Sequence, residues 1–183
     1  MRLRQSLIGL AMLFPLTAAA HNITMGSTLP AVTVNQAGEL MLNGDSLEYA
    51  PWRSWQLKDR VFLIQAIAGR TNAKEMNAAM IDAIKAQNYD RMDYQTVTII
   101  NKDDAVWGTG RMVQSSAEDS KREYPWSAFV LDNEGKVAKT WDLPDESSTI
   151  ILIDRYGEVL FVKEGQLSQS EVDRVISLID ENL

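Results

Sequence analysis

Eight consecutive residues, Val61-Phe62-Leu63-Ile64-Gln65-Ala66-Ile67-Ala68, carry no charge and a single polar side chain. A strand with one face in water alternates apolar and polar residues, whereas a strand covered on both faces does not. This run reads as the central strand of a sheet with helices on both sides, which places the chain in the α/β class. Gly69 ends the run. A helical pattern follows over 73–87, with Asn72 as its cap, Glu75 in capping-box position, and Met76, Met80, Ile81 and Ile84 as its buried stripe.

The flanking sequence supplies further strands and turns. Val32–Val34 and Leu40–Leu42 read as short strands, with Ala37-Gly38 as a turn and Asn43-Gly44 closing a hairpin onto Ser46–Tyr49. Trp52 and Trp55 fall in a predicted loop. Tyr94–Ile100 reads as a strand, 101–113 as a loop, and 116–124 as a short helix capped by Ser116. Ser127–Leu131 is a third central strand. Asp132-Asn133-Glu134-Gly135 predicts a turn, with Val137–Trp141 returning as a strand. Thr149–Ile153 and Glu158–Lys163 form a hairpin closed by Asp154-Arg155-Tyr156-Gly157. Ser168-Gln169-Ser170-Glu171 is a full capping box, and Val172, Val175, Ile176, Ile179 and Leu183 recur at helical spacing behind it.

Residues 1–20 read as a secretory signal peptide. Arg2 and Arg4 form a basic start, Leu7–Phe14 a short apolar run, and Ala18-Ala19-Ala20 a small-residue cleavage site. The apolar run is shorter than the roughly 20 residues a spanning helix needs. Cleavage after Ala20 is expected, leaving 21–183 as a single domain in the periplasm, with no membrane span after cleavage.

Charge and residue inventory narrow the chemistry. The chain has no cysteine, one histidine and a formal charge of −7 at pH 7. Loss of Arg2 and Arg4 takes the mature part to −9, a surface that repels nucleic-acid backbones and anionic headgroups. Without cysteine there is no thiol nucleophile and no disulfide. With His21 alone, neither a Ser-His-Asp triad nor a Cys/His zinc site can be built. His21 at a mature N-terminus offers an amine and an imidazole to copper, with no further soft ligand elsewhere. Asp103 and Asp104 in one loop, and Asp142, Asp145 and Glu146 in another, match no calcium-loop spacing and read as solvated acidic edges. Gly108-Thr109-Gly110 lacks the third glycine of a dinucleotide loop. No cofactor and no metal are expected.

From Val61 onward the order of elements resembles a thioredoxin-like domain of the thiol-peroxidase and periplasmic reductase kind. Ser148-Thr149-Ile150-Ile151-Leu152-Ile153-Asp154-Arg155-Tyr156-Gly157-Glu158 is similar to the stretch that follows that family's cis-proline. More narrowly, Gly26-Ser27-Thr28-Leu29-Pro30, Ala68-Gly69-Arg70-Thr71, Tyr124-Pro125-Trp126-Ser127 and Asp145-Glu146-Ser147-Ser148 resemble the YtfJ family of exported bacterial proteins. The resemblance implies a central mixed sheet flanked by helices, with an N-terminal β-hairpin. It carries no established activity. It also marks two departures: the redox pair would fall near Gly69 and Asn72, and the cis-proline at Ser148, where a trans bond is expected because a non-proline cis peptide costs about 2.5–4 kcal/mol.

These positions supply the candidate site. The helix entrance Arg70-Thr71-Asn72 offers free N–H groups, a guanidinium and a hydroxyl, suited to a small anion. Ser147 and Ser148 are expected beside it, with Glu146–Ile150 available to an extended peptide. Trp107, in a glycine-bearing loop, offers an aromatic wall for sugars or peptides. Expected partners are therefore a periplasmic protein, a peptide or a small anion, bound by a redox-inactive module. A thiol-independent enzyme and an assembly factor acting through its acidic face remain as alternatives.

Overall fold

The computed structural model describes residues 21–183, so the signal-peptide reading of 1–20 lies outside the described residues. Seven strands form one sheet: β1 (Thr33–Asn43), β2 (Ser46–Arg53), β3 (Val61–Ala68), β4 (Tyr94–Asn101), β5 (Ala128–Asp132), β6 (Ser148–Ile153) and β7 (Val159–Glu164). Their order across the sheet is β2-β1-β5-β4-β3-β6-β7. β3, β4 and β5 run parallel; the remaining pairings are antiparallel. Among the described residues, five α-helices flank the sheet: α1 (Thr71–Met76), α2 (Ala78–Gln87), α3 (Gly110–Glu123), α4 (Lys136–Trp141) and α5 (Gln169–Asn182).

Every residue of β3 is buried, as its unbroken apolar run requires. One face of the sheet packs Phe62, Ile64, Val97, Val130 and Ile151 with Trp52 and Trp141. The other packs Val61, Leu63, Ile150 and Leu152 against Met80 and Ile84 of α2 and Val172, Val175 and Ile179 of α5. A neighbouring cluster sets Leu40, Ile67, Ile100 and Leu131 against Ala73 of α1 and Ala117 of α3. The Ser168 capping box forms in full at the start of α5.

Several local expectations are corrected. Val32–Val34 and Leu40–Leu42 are not separate strands around a turn. β1 runs through both, with an irregularity between Val34 and Glu39 where Ala37 and Gly38 take positive φ (66° and 86°). There the other edge of β1 pairs Ala37–Glu39 with β5, and Glu39 resumes pairing with Ala50 of β2. A Cβ at position 38 would run into the Ala50 carbonyl, so the turn signal was a bulge signal. Trp52 lies within β2 and is buried; Trp55, in a 3-10 turn, is exposed.

The helix expected over 73–87 is two helices that meet at Asn77. Its cap is Arg70, not Asn72, and no side chain caps it. Helix α3 starts six residues before Ser116, taking up the end of the expected loop. Val137–Trp141 is helical rather than extended. Asp132, fully buried, accepts from the amides of Glu134 (3.2 Å) and Val137 (2.8 Å) and turns the chain into α4. Through this helix the chain passes from β5 beyond β4 and β3 to β6, which runs antiparallel to β3.

Candidate functional site

The site grows from the ends of β3 and β4, where the parallel strands deliver their loops. Gly69 donates to the Asn101 carbonyl at 2.8 Å, locking the end of β3 to the end of β4. A Cβ on Gly69 would stand 2.9 Å from that carbonyl oxygen and 3.2 Å from the Ala105 methyl. No side chain, thiol-bearing or otherwise, fits there unless the 101–110 loop moves. On the other side, Ala68 donates to the Ser147 carbonyl at 2.9 Å, and Ile67 stands opposite Ser148 in the register of β3 with β6. The helix entrance and the start of β6 are thus neighbours, although they lie far apart in the sequence.

Arg70 spans the gap. Its Nε donates to the Asp104 carbonyl (2.9 Å) and to Asp104 Oδ1 (3.1 Å). Its Nη2 lies 3.0 Å from Asp104 Oδ1 and 3.0 Å from Glu146 Oε1. Asp104 in turn accepts the Glu146 amide at Oδ2 (2.6 Å), and its own amide donates to Asn101 Oδ1 (3.3 Å). Three segments, the helix entrance, the β4–α3 loop and the loop before β6, are clasped by one guanidinium and one carboxylate. Two carboxylates share the Arg70 charge.

Ser148 is fully buried. Its hydroxyl accepts from Asn77 Nδ2 at 2.9 Å, and the same amide nitrogen donates to the Gly165 carbonyl at 3.0 Å. Asn77 Oδ1 accepts from the Leu167 amide at 2.9 Å. This buried asparagine satisfies polar groups of β6 and of the segment leading into α5, and the break between α1 and α2 brings it there. Sequence reasoning missed it, although Asn77 sits on the buried stripe that Ala73, Met80 and Ile84 share, where a polar residue needs a partner. The described chain has no cis peptide bond.

The remaining candidates divide. Thr71 and Asn72 are exposed at the helix entrance, and Ser147 is partly exposed. Thr149 and Ile150 are paired on one side with β3 and on the other with β7. Of the stretch proposed for an added peptide strand, this leaves little beyond Glu146 and Ser147. Trp107 is 98% exposed, with Val106 and Met112 exposed nearby in sequence. Its loop is nevertheless fastened: Thr109 Oγ1 donates to the Val106 carbonyl at 2.7 Å, and Lys102 N to the Asp132 carbonyl at 2.9 Å. Ser147 lines a narrow cavity with Ala68, Asn101 and Asp104; Trp107 lines a separate, open hollow. Arg70, Thr71, Asn72 and Ser148 line neither.

The acidic residues do not assemble a metal site: among the described residues, no group of three or more His, Asp or Glu is placed to hold an ion. His21 Nδ1 accepts from the Ile23 amide at 3.3 Å. Near the loops, Asp103 accepts from Lys139 at 2.8 Å, and this hydrogen bond raises the ammonium above the ordinary lysine range. Glu39 and Lys121, both pushed toward neutrality by burial, belong to the β1 and α3 side of the molecule.

Comparison with known proteins agrees with this geometry. Residues 23–182 match the family described as "bacterial protein of unknown function (YtfJ_HI0045)". The chain is 42% identical over 183 residues to the "uncharacterized protein YtfJ" of Escherichia coli K12, covering all of both chains. It is 44% identical over 168 residues to an "uncharacterized protein" of Haemophilus influenzae, covering 92% of this chain and 91% of that one. Among solved structures, a thiol-disulfide isomerase from Corynebacterium glutamicum superposes with a TM-score of 0.56 at 15% identity, over 84% of this chain and 96% of that one. That likeness shows the fold alone, which is thioredoxin-like. The chain belongs to the YtfJ family of bacterial proteins, built on a thioredoxin-like fold without cysteine.

Proposed function

We propose that this protein is a redox-inactive thioredoxin-like binding module that works in the periplasm after cleavage at Ala20. Its contact surface is formed by the loops that leave β3 and β4: Thr71, Asn72 and Ser147 at the helix entrance, and Trp107 at the tip of the β4–α3 loop. Arg70, Asp104 and Ser148 hold these loops in place rather than meeting the ligand.

The observation that carries the reading is Trp107. An indole 98% exposed to water is unfavourable for a folded monomer, and ordinarily such a ring packs down. Here the backbone beneath it is fastened by the Arg70–Asp104 clasp and by the Thr109–Val106 hydrogen bond, so the position from which the ring projects is fixed. A fixed loop backbone removes one ordering cost of binding. The filled space at Gly69 supports the loss of thiol chemistry from another direction.

Two measurements test this. N-terminal sequencing of protein from the periplasmic fraction should begin His21-Asn22-Ile23; protein retained in the cytosol with Met1 intact overturns the location. Immobilised wild-type protein should retain periplasmic components that Trp107→Ala does not. Equal retention by both overturns the assigned surface.

A further inference from the structure

Under the proposed cleavage after Ala20, His21 becomes the first residue of the protein, and it is the single histidine in the chain. Its main-chain nitrogen is then a primary amine. An N-terminal histidine carries two nitrogen donors on one residue, the amine and the imidazole Nδ1. An ion held by both closes a compact chelate ring through Cα, Cβ and Cγ. The other ring nitrogen, Nε2, points away from the amine and cannot share the same ion with it.

Donor count alone argued against a metal here; the fold adds a fixed place for the two donors. The Asn22 amide donates to the Trp141 carbonyl at 3.1 Å, and Asn22 Nδ2 donates to the Thr140 carbonyl at 2.8 Å. Ile23 is buried in the core. The chain is thus fastened to the end of α4 immediately after His21. The imidazole is partly exposed and turned back on its own main chain, with Nδ1 accepting from the Ile23 amide at 3.3 Å. The nitrogen that faces the main chain is the one a chelate needs, and the contact that occupies it is long. Asp142, which follows Trp141, is exposed and adds negative charge to the same stretch of backbone. Calcium and magnesium take oxygen ligands. Among divalent first-row ions, copper(II) binds nitrogen donors most tightly. We propose that the mature protein binds one copper(II) ion at its N-terminus, through the His21 amine and Nδ1, with the remaining positions open to water or an external ligand. The proposal rests on cleavage at Ala20 and is independent of the Trp107 surface.

The test uses protein expressed as the full chain, purified from the periplasmic fraction, stripped of metal and sequenced from its N-terminus. Copper(II) chloride at one equivalent should give an electron paramagnetic resonance spectrum with nitrogen couplings, including that of the remote imidazole nitrogen. In 15N-labelled protein, copper should broaden the amides of 22–24 and of 139–142 before any others, because Asn22 joins the terminus to the end of α4. His21→Ala, and wild-type protein whose α-amine alone is blocked, should each lose copper affinity about tenfold or more in competition with a coloured chelator, with the amide spectrum of 24–183 otherwise unchanged. Zinc should bind more weakly than copper. Copper affinity unchanged in His21→Ala or in the amine-blocked protein overturns the site, as does broadening centred on acidic loops away from residues 22–24. Protein that begins at His21 but takes up no copper overturns the site and leaves the cleavage intact. Protein from the periplasm that begins at any other residue overturns the cleavage and the copper site together.

Discussion

Asn77 and Ser148, 71 residues apart in sequence, share a buried hydrogen bond of 2.9 Å. The same asparagine holds the Gly165 carbonyl and the Leu167 amide. Its removal leaves three groups without partners. Asn77→Ala should cost roughly 2–4 kcal/mol of stability, and Ser148→Ala, which leaves two of the three bonds in place, about 1 kcal/mol. Urea unfolding measures both. Equal, small losses would show that the asparagine is not the common tie.

Gly69 makes a steric prediction. A methyl at this position meets a backbone carbonyl at 2.9 Å and the Ala105 methyl at 3.2 Å, and neither is the free end of a flexible side chain. Gly69→Ala should lose about 1–3 kcal/mol, and Gly69→Cys at least as much. Wild-type thermal stability in Gly69→Cys would mean that this position is open to a side chain.

The Arg70–Asp104 clasp predicts a dynamic effect. Asp104 is mostly buried (12% exposed side chain) and needs its cation. Arg70→Ala should cost about 1–2 kcal/mol and should speed hydrogen exchange at 104–109, the loop that carries Trp107. Binding at Trp107 should weaken with it. Exchange unchanged in that loop would show that Arg70 does not hold it.

Glu39 gives a pH dependence with a definite sign. Burial raises its carboxyl above the ordinary range, partly offset by the Lys121 ammonium. Its folded pKa thus exceeds its unfolded one, so charging it opposes folding. The penalty is absent below the unfolded value, grows as pH rises, and is complete above the folded value. Glu39→Gln should match wild type at pH about 3 and exceed it at pH 7. A variant less stable than wild type at pH 7 would reverse the assignment.

The sequence was most legible where one physical signal dominated. The unbroken apolar run of β3, the Asn43-Gly44 hairpin and the Ser168 capping box each appear as read. It was least legible where a tertiary partner decided the outcome. Asn77 breaks a continuous helical pattern because its amide serves β6 and the segment before α5. Val137–Trp141 has strand-like composition, but the Asp132 carboxylate takes the Glu134 and Val137 amides and turns the chain into a helix there. Arg70 looked free because Asp104 and Glu146 lie 34 and 76 positions away. The exposure of Trp107 had no sequence signal beyond the loop's glycines and polar residues.

The most direct test of the central claim, that the loop bearing Trp107 is the working surface of a binding module, is chemical-shift mapping of the 15N-labelled protein against whole periplasmic extract. The account predicts perturbations concentrated at the Trp107 indole, the amides of 102–110 and the helix entrance at 71–72, and their loss in Trp107→Ala. Perturbations gathered instead around Asp142 and Asp145 or along β2, with the Trp107 indole unmoved, would contradict it.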